Sequence, residues 1–281
     1  MGEPARALVL GGGGVTGIAW ELGMIAGLAA AGIDLAGARL VVGTSAGSSV
    51  AAQLASGTPV EELYAGQLRP ATGELSATLT RGMVLRYVLT ALSSRDEARA
   101  RARLGRMALR ARTGATVQER RSVIGSRLPS TQWPTDRRLL ITAVDAENGA
   151  LRVFDADPGV SLLDAVTASC AVPLVWPPVP IGGRFYLDGG VRSPANADLA
   201  TGADRVVVLA PIDRSGRPSG RVGRQLASLG AGVRSVMITP DGPARAAIGP
   251  NVLDPGHRAS AARAGREQAA HSADAVRAVW G

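Results

Sequence analysis

The five residues Gly43-Thr44-Ser45-Ala46-Gly47 constrain this chain more than any other stretch. They join an apolar run, Arg39-Leu40-Val41-Val42, to a run of small residues from Ser48 to Gly57, which reads as strand, sharp turn and helix. A serine in such a turn stands off the end of a sheet with its hydroxyl exposed. Glycines on either side let strand and helix backbones cross without a Cβ between them. The helix that follows offers unpaired N–H groups and a positive dipole end, and both favour negative charge developing near Ser45. A Gly/Ser-rich connection also has a plain structural reading, so the rest of the chain must decide whether Ser45 is a nucleophile.

A second unit of the same kind precedes it. Ala5 to Leu10 reads as a strand running into Gly11-Gly12-Gly13-Gly14-Val15-Thr16-Gly17; the helix beyond has Ile18, Leu22, Ile25 and Leu28 on one face and ends at Gly32. Strand, glycine loop, helix and second strand make a parallel βαβ unit. Outward-facing N–H groups at a helix start bind an anion, either a phosphate or the oxyanion of acyl transfer. Gly12, Gly14 and Gly17 satisfy the dinucleotide fingerprint in form. The second strand, however, ends in Val42-Gly43 without the ribose-binding acid, and Asp34 lies before that strand begins. The Walker pattern fails because the chain has no lysine.

All 31 basic residues are therefore arginine, and with 23 acidic residues the net charge is +8, a balance that draws the surface to anionic partners. From Pro59 to about Arg127 the pattern is helical and highly charged. Arg99, Arg103, Arg106 and Arg110 recur there at helical spacing, while Leu104, Met107 and Ala108 fall elsewhere on the wheel. That face reads first as solvated and second as a seat for anionic lipid head groups at a membrane surface. Nucleic acid is not expected, since no aromatic residues interleave with the arginines and no helix-turn-helix or zinc pattern occurs. With 46% hydrophobic but only 3% aromatic residues and no linker, the chain reads as one domain over residues 1–281 with a core of small aliphatic side chains. The single cysteine, Cys170, excludes an internal disulfide and reads as a core residue. Without a signal-peptide core or a run of ~20 apolar residues, the expected location is cytoplasmic, with membrane contact at most peripheral.

Strands resume at Arg138 to Ala146 and Leu151 to Phe154, with Asn148-Gly149 as a hairpin signal between them, so the sheet should be mixed. Ser161 to Ala171 reads as a helix capped by Ser161 and stopped by Pro173. Phe185-Tyr186-Leu187 then carries Asp188 to the end of a short apolar strand, followed by Gly189-Gly190. Arg205 to Pro211 and Arg234 to Thr239 read as further strands, and Gly256 to Trp280 as a closing helix.

The glycine loop, Ser45 in G-x-S-x-G, Asp188 in D-G-G and the block Ala168-Ser169-Cys170-Ala171-Val172-Pro173 between them resemble the patatin-like phospholipase family over roughly residues 5 to 200. The resemblance implies an α/β fold, a three-layer α/β/α sandwich with a mixed, mostly parallel central sheet. It implies a lipid acyl hydrolase of the phospholipase A or lysophospholipase type, acting on a lipid or fatty-acyl ester with no cofactor and no metal. Ser45 would be the nucleophile and Asp188 its base. Gly12, Gly13 and Gly14 of the Gly11–Gly14 loop would form the oxyanion hole, and Gly43, Gly47, Gly189 and Gly190 would shape the turns. The helical section at 59–127 would border the site.

One departure is visible: the family commonly places Arg or Lys just before the last glycine of its first loop, and here that residue is Thr16. Three alternatives stay open, one of them a dinucleotide-binding oxidoreductase using the Gly12, Gly14 and Gly17 fingerprint. His257 or His271 could complete a Ser-His-Asp triad in the order Ser, Asp, His. The fold could also serve a non-catalytic lipid-binding protein. No motif encodes the acyl-chain length or the oligomeric state.

Overall fold

The computed structural model describes residues 5–70, 73–75, 77–78 and 80–281. Strands Arg6–Leu10 (β1) and Leu40–Thr44 (β2) flank helix Gly14–Ala30 (α1) and run parallel, with Ala7 opposite Leu40. Helices Ala46–Ala55 (α2), Val60–Leu68 (α3), Arg81–Leu92 (α4), Glu97–Arg110 (α5) and Val117–Arg127 (α6) follow. The chain returns to the sheet in Arg138–Asp145 (β3) and Leu151–Phe154 (β4), then forms helix Leu162–Ser169 (α7) and strands Val179–Ile181 (β5) and Arg184–Asp188 (β6). Strand Arg205–Leu209 (β7), helix Val222–Ser228 (α8), strand Arg234–Ile238 (β8), helix Gly242–Ile248 (α9) and helix Arg258–Trp280 (α10) complete it.

The apolar strands sort their side chains by the two-residue period of the pleat. Leu8 and Leu10 of β1, Ile141 of β3 and Leu209 of β7 face one core together with α1, α2, α7 and α10. Ala7, Val9, Leu140, Val206 and Val208 face a second core covered by residues 195–203 and α8, while α5 lays Ala108 on Val144 and Leu187. The result is a mixed, mostly parallel sheet between two helical layers, as the resemblance implies. Small residues set the layer spacing: Gly265 of α10 lies so close to α1 that a Cβ there would stand 2.3 Å from the Trp20 carbonyl oxygen. Helix backbones this close exclude water and strengthen dispersion between the layers.

The sheet order is β5-β6-β3-β2-β1-β7-β8, with β4 also on β3. Strand β3 changes partner along one edge. Its residues 138–142 pair with parallel β2 up to Thr44–Thr142, and its residues 143–145 pair with antiparallel β6 from Ala143–Asp188 onward. Strands β2 and β6 therefore meet end to end at their C-termini over adjacent residues of β3. That junction brings residues 45 and 188, far apart in sequence, into neighbouring positions.

Three details differ from the sequence reading. Helix α1 starts at Gly14 rather than Ile18, because α1 takes in Gly14 and Gly17. A 3₁₀ turn over Pro255–His257 precedes α10, so His257 caps that helix rather than lying in it. Strand β5 forms within the proline segment because Pro180 lies on the sheet's edge, where a missing N–H removes no ladder bond.

Candidate active site

Ser45 occupies the turn between β2 and α2 with φ 53° and ψ −119°, a conformation that costs a non-glycine residue on the order of 1–3 kcal/mol and persists only when its surroundings hold it. The surroundings are identifiable. The Ser45 N–H donates to Ser169 Oγ at 2.9 Å, Cys170 Sγ lies 3.2 Å from the Ser45 carbonyl, and the Gly47 N–H donates to the Gly11 carbonyl at 2.9 Å. A Cβ at Gly47 would stand 2.2 Å from the Leu10 carbonyl oxygen, and one at Gly43 would stand 2.6 Å from Ser48 Cα. Both glycines are therefore required by close backbone crossing.

Asp188 ends β6, with its N–H held by the Ala171 carbonyl at 3.0 Å. Its Oδ2 accepts from Ser45 Oγ at 2.6 Å and its Oδ1 from the Gly190 N–H at 2.7 Å. Asp188 is 5% exposed, and burial raises its pKa to about 6 against those two hydrogen bonds, which favour the charged form. A carboxylate so placed is a stronger base than one in water, yet remains largely ionised at neutral pH. The hydroxyl it contacts is that of a serine held in a strained turn at the N-terminus of α2.

The glycine loop covers this pair. Gly12 passes closest to Ser45, where a Cβ would stand 3.4 Å from Ser45 Cβ, but its N–H donates to the Pro194 carbonyl at 2.7 Å. The three N–H groups expected from Gly12, Gly13 and Gly14 thus divide: that of Gly12 is committed to the loop, and those of Gly13 and Gly14, at the open end of α1, carry no hydrogen bond among the described residues. Below the loop, Glu21 is fully buried and accepts from the Gly11 N–H at 2.9 Å; burial holds its pKa well above the usual carboxylate range.

A cavity of about 340 Å³ opens on Gly12, Gly13, Gly14, Ser45, Asp188 and Gly190. Helices α4 and α5 wall its far side with Tyr87, Arg101 and Leu104. The Tyr87 hydroxyl donates to the Pro173 carbonyl, and its pKa is raised by burial and by the nearby Asp188 charge. A model of the patatin-like phospholipase family matches residues 8–201, which contain the glycine loop, Ser45 and Asp188. The chain belongs to the patatin-like phospholipase family.

Among solved structures, VipD from Legionella pneumophila superposes on 97% of this patatin-like chain and 67% of its own length, with 15% identity and a TM-score of 0.49. The type III effector protein ExoU superposes on 97% of the chain and 53% of its own, with 20% identity and a TM-score of 0.42, so the chain spans about half of ExoU. No curated protein matches the sequence.

Other sequence-derived candidates lie elsewhere. His271 is exposed on α10, and the His257 ring bonds the Ala247 carbonyl through Nδ1 at 3.1 Å; neither lines a cavity that reaches Ser45. Thr16 is buried and donates to the Val252 carbonyl at 3.2 Å, so nothing replaces the family's cation at that position. Cys170 is buried with a raised pKa, as a core thiol should be. Sequence reading missed Thr142 and Asn196, which tie the junction together. Asn196 Nδ2 donates to Thr44 Oγ1 at 3.1 Å and to the Ser193 carbonyl at 3.1 Å, and the Thr44 and Thr142 hydroxyls meet at 2.9 Å. Lone Thr and Asn residues carry no motif, and only the partner change along β3 singles them out.

Proposed function

We propose that this patatin-like chain is a serine acyl hydrolase of lipids working through a Ser45–Asp188 dyad. The observation that carries the reading is the 2.6 Å contact from Ser45 Oγ to Asp188 Oδ2 at the junction of β2 and β6. Asp188 takes the hydroxyl proton as Ser45 Oγ attacks the ester carbonyl, and the tetrahedral oxyanion sits against the Gly13 and Gly14 N–H groups and the positive end of α1. The intermediate collapses to an acyl-enzyme as the leaving alkoxide takes the proton from Asp188. Water then gives a proton to Asp188 and attacks the acyl carbonyl, and Asp188 returns the proton to Ser45 Oγ as the carboxylic acid departs. No histidine enters either half-reaction.

The cavity at Ser45, walled by Leu104, Val172, Pro173, Val191 and Leu253, suits an acyl chain. The exposed Leu85 and Leu89 of α4, beside the arginine-bearing α5, suit a peripheral seat on an anionic bilayer. Among the described residues no helix is long and apolar enough to cross a membrane.

Fatty-acid release measured across a panel of phospholipids, lysophospholipids and acylglycerols tests the reading. Wild-type protein releases fatty acid and is labelled at Ser45 by a fluorophosphonate, whereas Ser45→Ala does neither. The double variant His257→Ala/His271→Ala retains both. Loss of turnover in the histidine variant returns the site to a triad. A folded wild type that neither labels nor turns over any lipid leaves the fold a binding protein.

A further inference from the structure

Ser45 also borders a second, smaller cavity, of about 30 Å³, whose wall carries Arg120 and Arg127 of α6, Cys170 and Trp176. Arg120 is only 6% exposed, and its guanidinium lies 3.9 Å from the centre of the Trp176 ring. Apart from that stacking, no hydrogen bond or ion pair reaches this guanidinium among the described residues. Buried arginines ordinarily occur with a carboxylate or a set of carbonyls, because a desolvated cation without partners is costly.

The neighbouring charges deepen the deficit. Glu74 takes both hydrogen bonds of Arg127, one of them 3.1 Å from Nε, and lies 4.0 Å from Arg258. The Glu74 charge acts on Arg120 and Arg258 through space, while its hydrogen bonds go to Arg127. Burial and the Arg127 charge lower the pKa of Arg120 to about 10, so it remains a cation at neutral pH.

We propose that this smaller cavity is an anion subsite in which Arg120 receives a phosphate carried by the alcohol part of the ester. The proposal rests on the acyl-hydrolase reading of Ser45. Because Ser45 lies in the wall of both cavities, an ester bound at Ser45 places its acyl chain in the larger, apolar one and its alcohol part toward the smaller one. The space holds about two water-sized groups, so the phosphate enters oxygen first, and a planar guanidinium backed by an indole presents its donor edge to two such oxygens. Arg120 then supplies, from α6, a cation beside the reacting serine that the glycine loop lacks at Thr16.

Two measurements test this. Inorganic phosphate titrated calorimetrically into Ser45→Ala protein should bind at millimolar concentration or better, and binding should weaken at least about tenfold when Arg120→Gln is added. Wild-type kcat/KM should favour lysophosphatidic acid over a monoacylglycerol of equal chain length. Arg120→Gln should lower that ratio at least about tenfold, and Arg120→Lys, which keeps the charge without the fork, should lower it less. Absence of phosphate binding to Ser45→Ala protein overturns the subsite. So does equal loss on both esters in a folded Arg120→Gln, and so does a wild-type preference for the neutral ester. If Arg120→Gln does not fold, the calorimetry and the wild-type ester ratio decide alone. Phosphate binding without turnover of any ester removes the hydrolase reading and leaves the anion site standing, while ester turnover without phosphate binding does the reverse.

Discussion

The two walls of the larger cavity are built on different principles. On the sheet side, the backbone of each residue is what is held: Gly47 is bonded to Gly11, Gly12 to Pro194, Asp188 to Ala171, and Ser45 to the side chain of Ser169. On the helical side, α5 also crosses the sheet closely, at Gly105, where a Cβ would stand 1.9 Å from the Ala146 carbonyl oxygen, but the groups that face the cavity are placed by their side chains. Arg101 Nε reaches the Gly149 carbonyl at 2.7 Å, the Tyr87 hydroxyl reaches the Pro173 carbonyl, and Leu104 packs into the wall as an apolar filler. A wall fixed by backbone crossing tolerates almost no change and suits bond-making at defined atoms. A wall fixed by side chains can vary its shape and charge without disturbing the first, which suits the choice of substrate.

The comparison is sharpest at Asp188, where the largest effect is expected. Asp188→Asn should lower kcat by roughly 10⁴-fold, since no other base lies against Ser45 Oγ. The same change should stabilise the fold. A carboxyl whose pKa is about 6 in the folded chain, against an ordinary value of 3.8, holds its proton more tightly folded than unfolded. Its favourable contribution is present below pH ~4 and is lost as pH rises through about 6, a loss that reaches up to about 3 kcal/mol by pH 7. Denaturant titrations should therefore show Asp188→Asn more stable than wild type at pH 7, with the gap closing between pH 6 and 4. Activity of the wild type should rise with pH through about 6 and level off, because only the ionised carboxylate can take the serine proton. A variant both inactive and destabilised at pH 7 would assign Asp188 to structure instead.

Gly47→Ala tests the sheet wall where no side chain takes part. A methyl 2.2 Å from the Leu10 carbonyl oxygen must push α2 away from β1, at about 3 kcal/mol or more, and must move Ser45 with it. The expected outcome is a fall in both the unfolding midpoint and fluorophosphonate labelling of Ser45. Unchanged labelling in a destabilised protein would separate the turn's stability from its chemistry.

The same contrast decides what was legible in the sequence. Positions governed by backbone geometry leave marks, because only glycine fits a crossing such as Gly43 or Gly47, and a serine between two of them is a recognisable turn. The block from Ala168 to Pro173 was legible as a motif, but its purpose appears only in three dimensions: Ser169 and Cys170 hold the backbone of Ser45, Ala171 holds that of Asp188, and Pro173 receives Tyr87. The arginine face of α5 was legible from its spacing, and Arg99, Arg103, Arg106 and Arg110 are indeed exposed while Ala100, Leu104 and Ala108 are buried. Arg120 was not legible. It sits in a helix where seven of eleven residues are polar or charged, and only packing against Trp176 sets it apart from the neighbouring Arg121.

The smallest effect is expected on the helical wall, at Leu104→Ala. Leu104 is 7% exposed, so truncation should cost about 2–3 kcal/mol of stability, the lower end for a buried leucine because the site beside an open cavity loses fewer neighbours. Ser45 and Asp188 on the opposite wall keep their backbone anchors, so kcat on short esters should change less than about threefold. The volume released adds to the cavity, so on the proposed reading the preferred chain length should move toward bulkier or longer chains, read as kcat/KM across a series of acyl esters. A shift in chain preference at constant kcat is what independent walls require. A fall in kcat as large as that of Asp188→Asn would mean instead that α5 helps hold Asp188, and the division between the two walls would fail there.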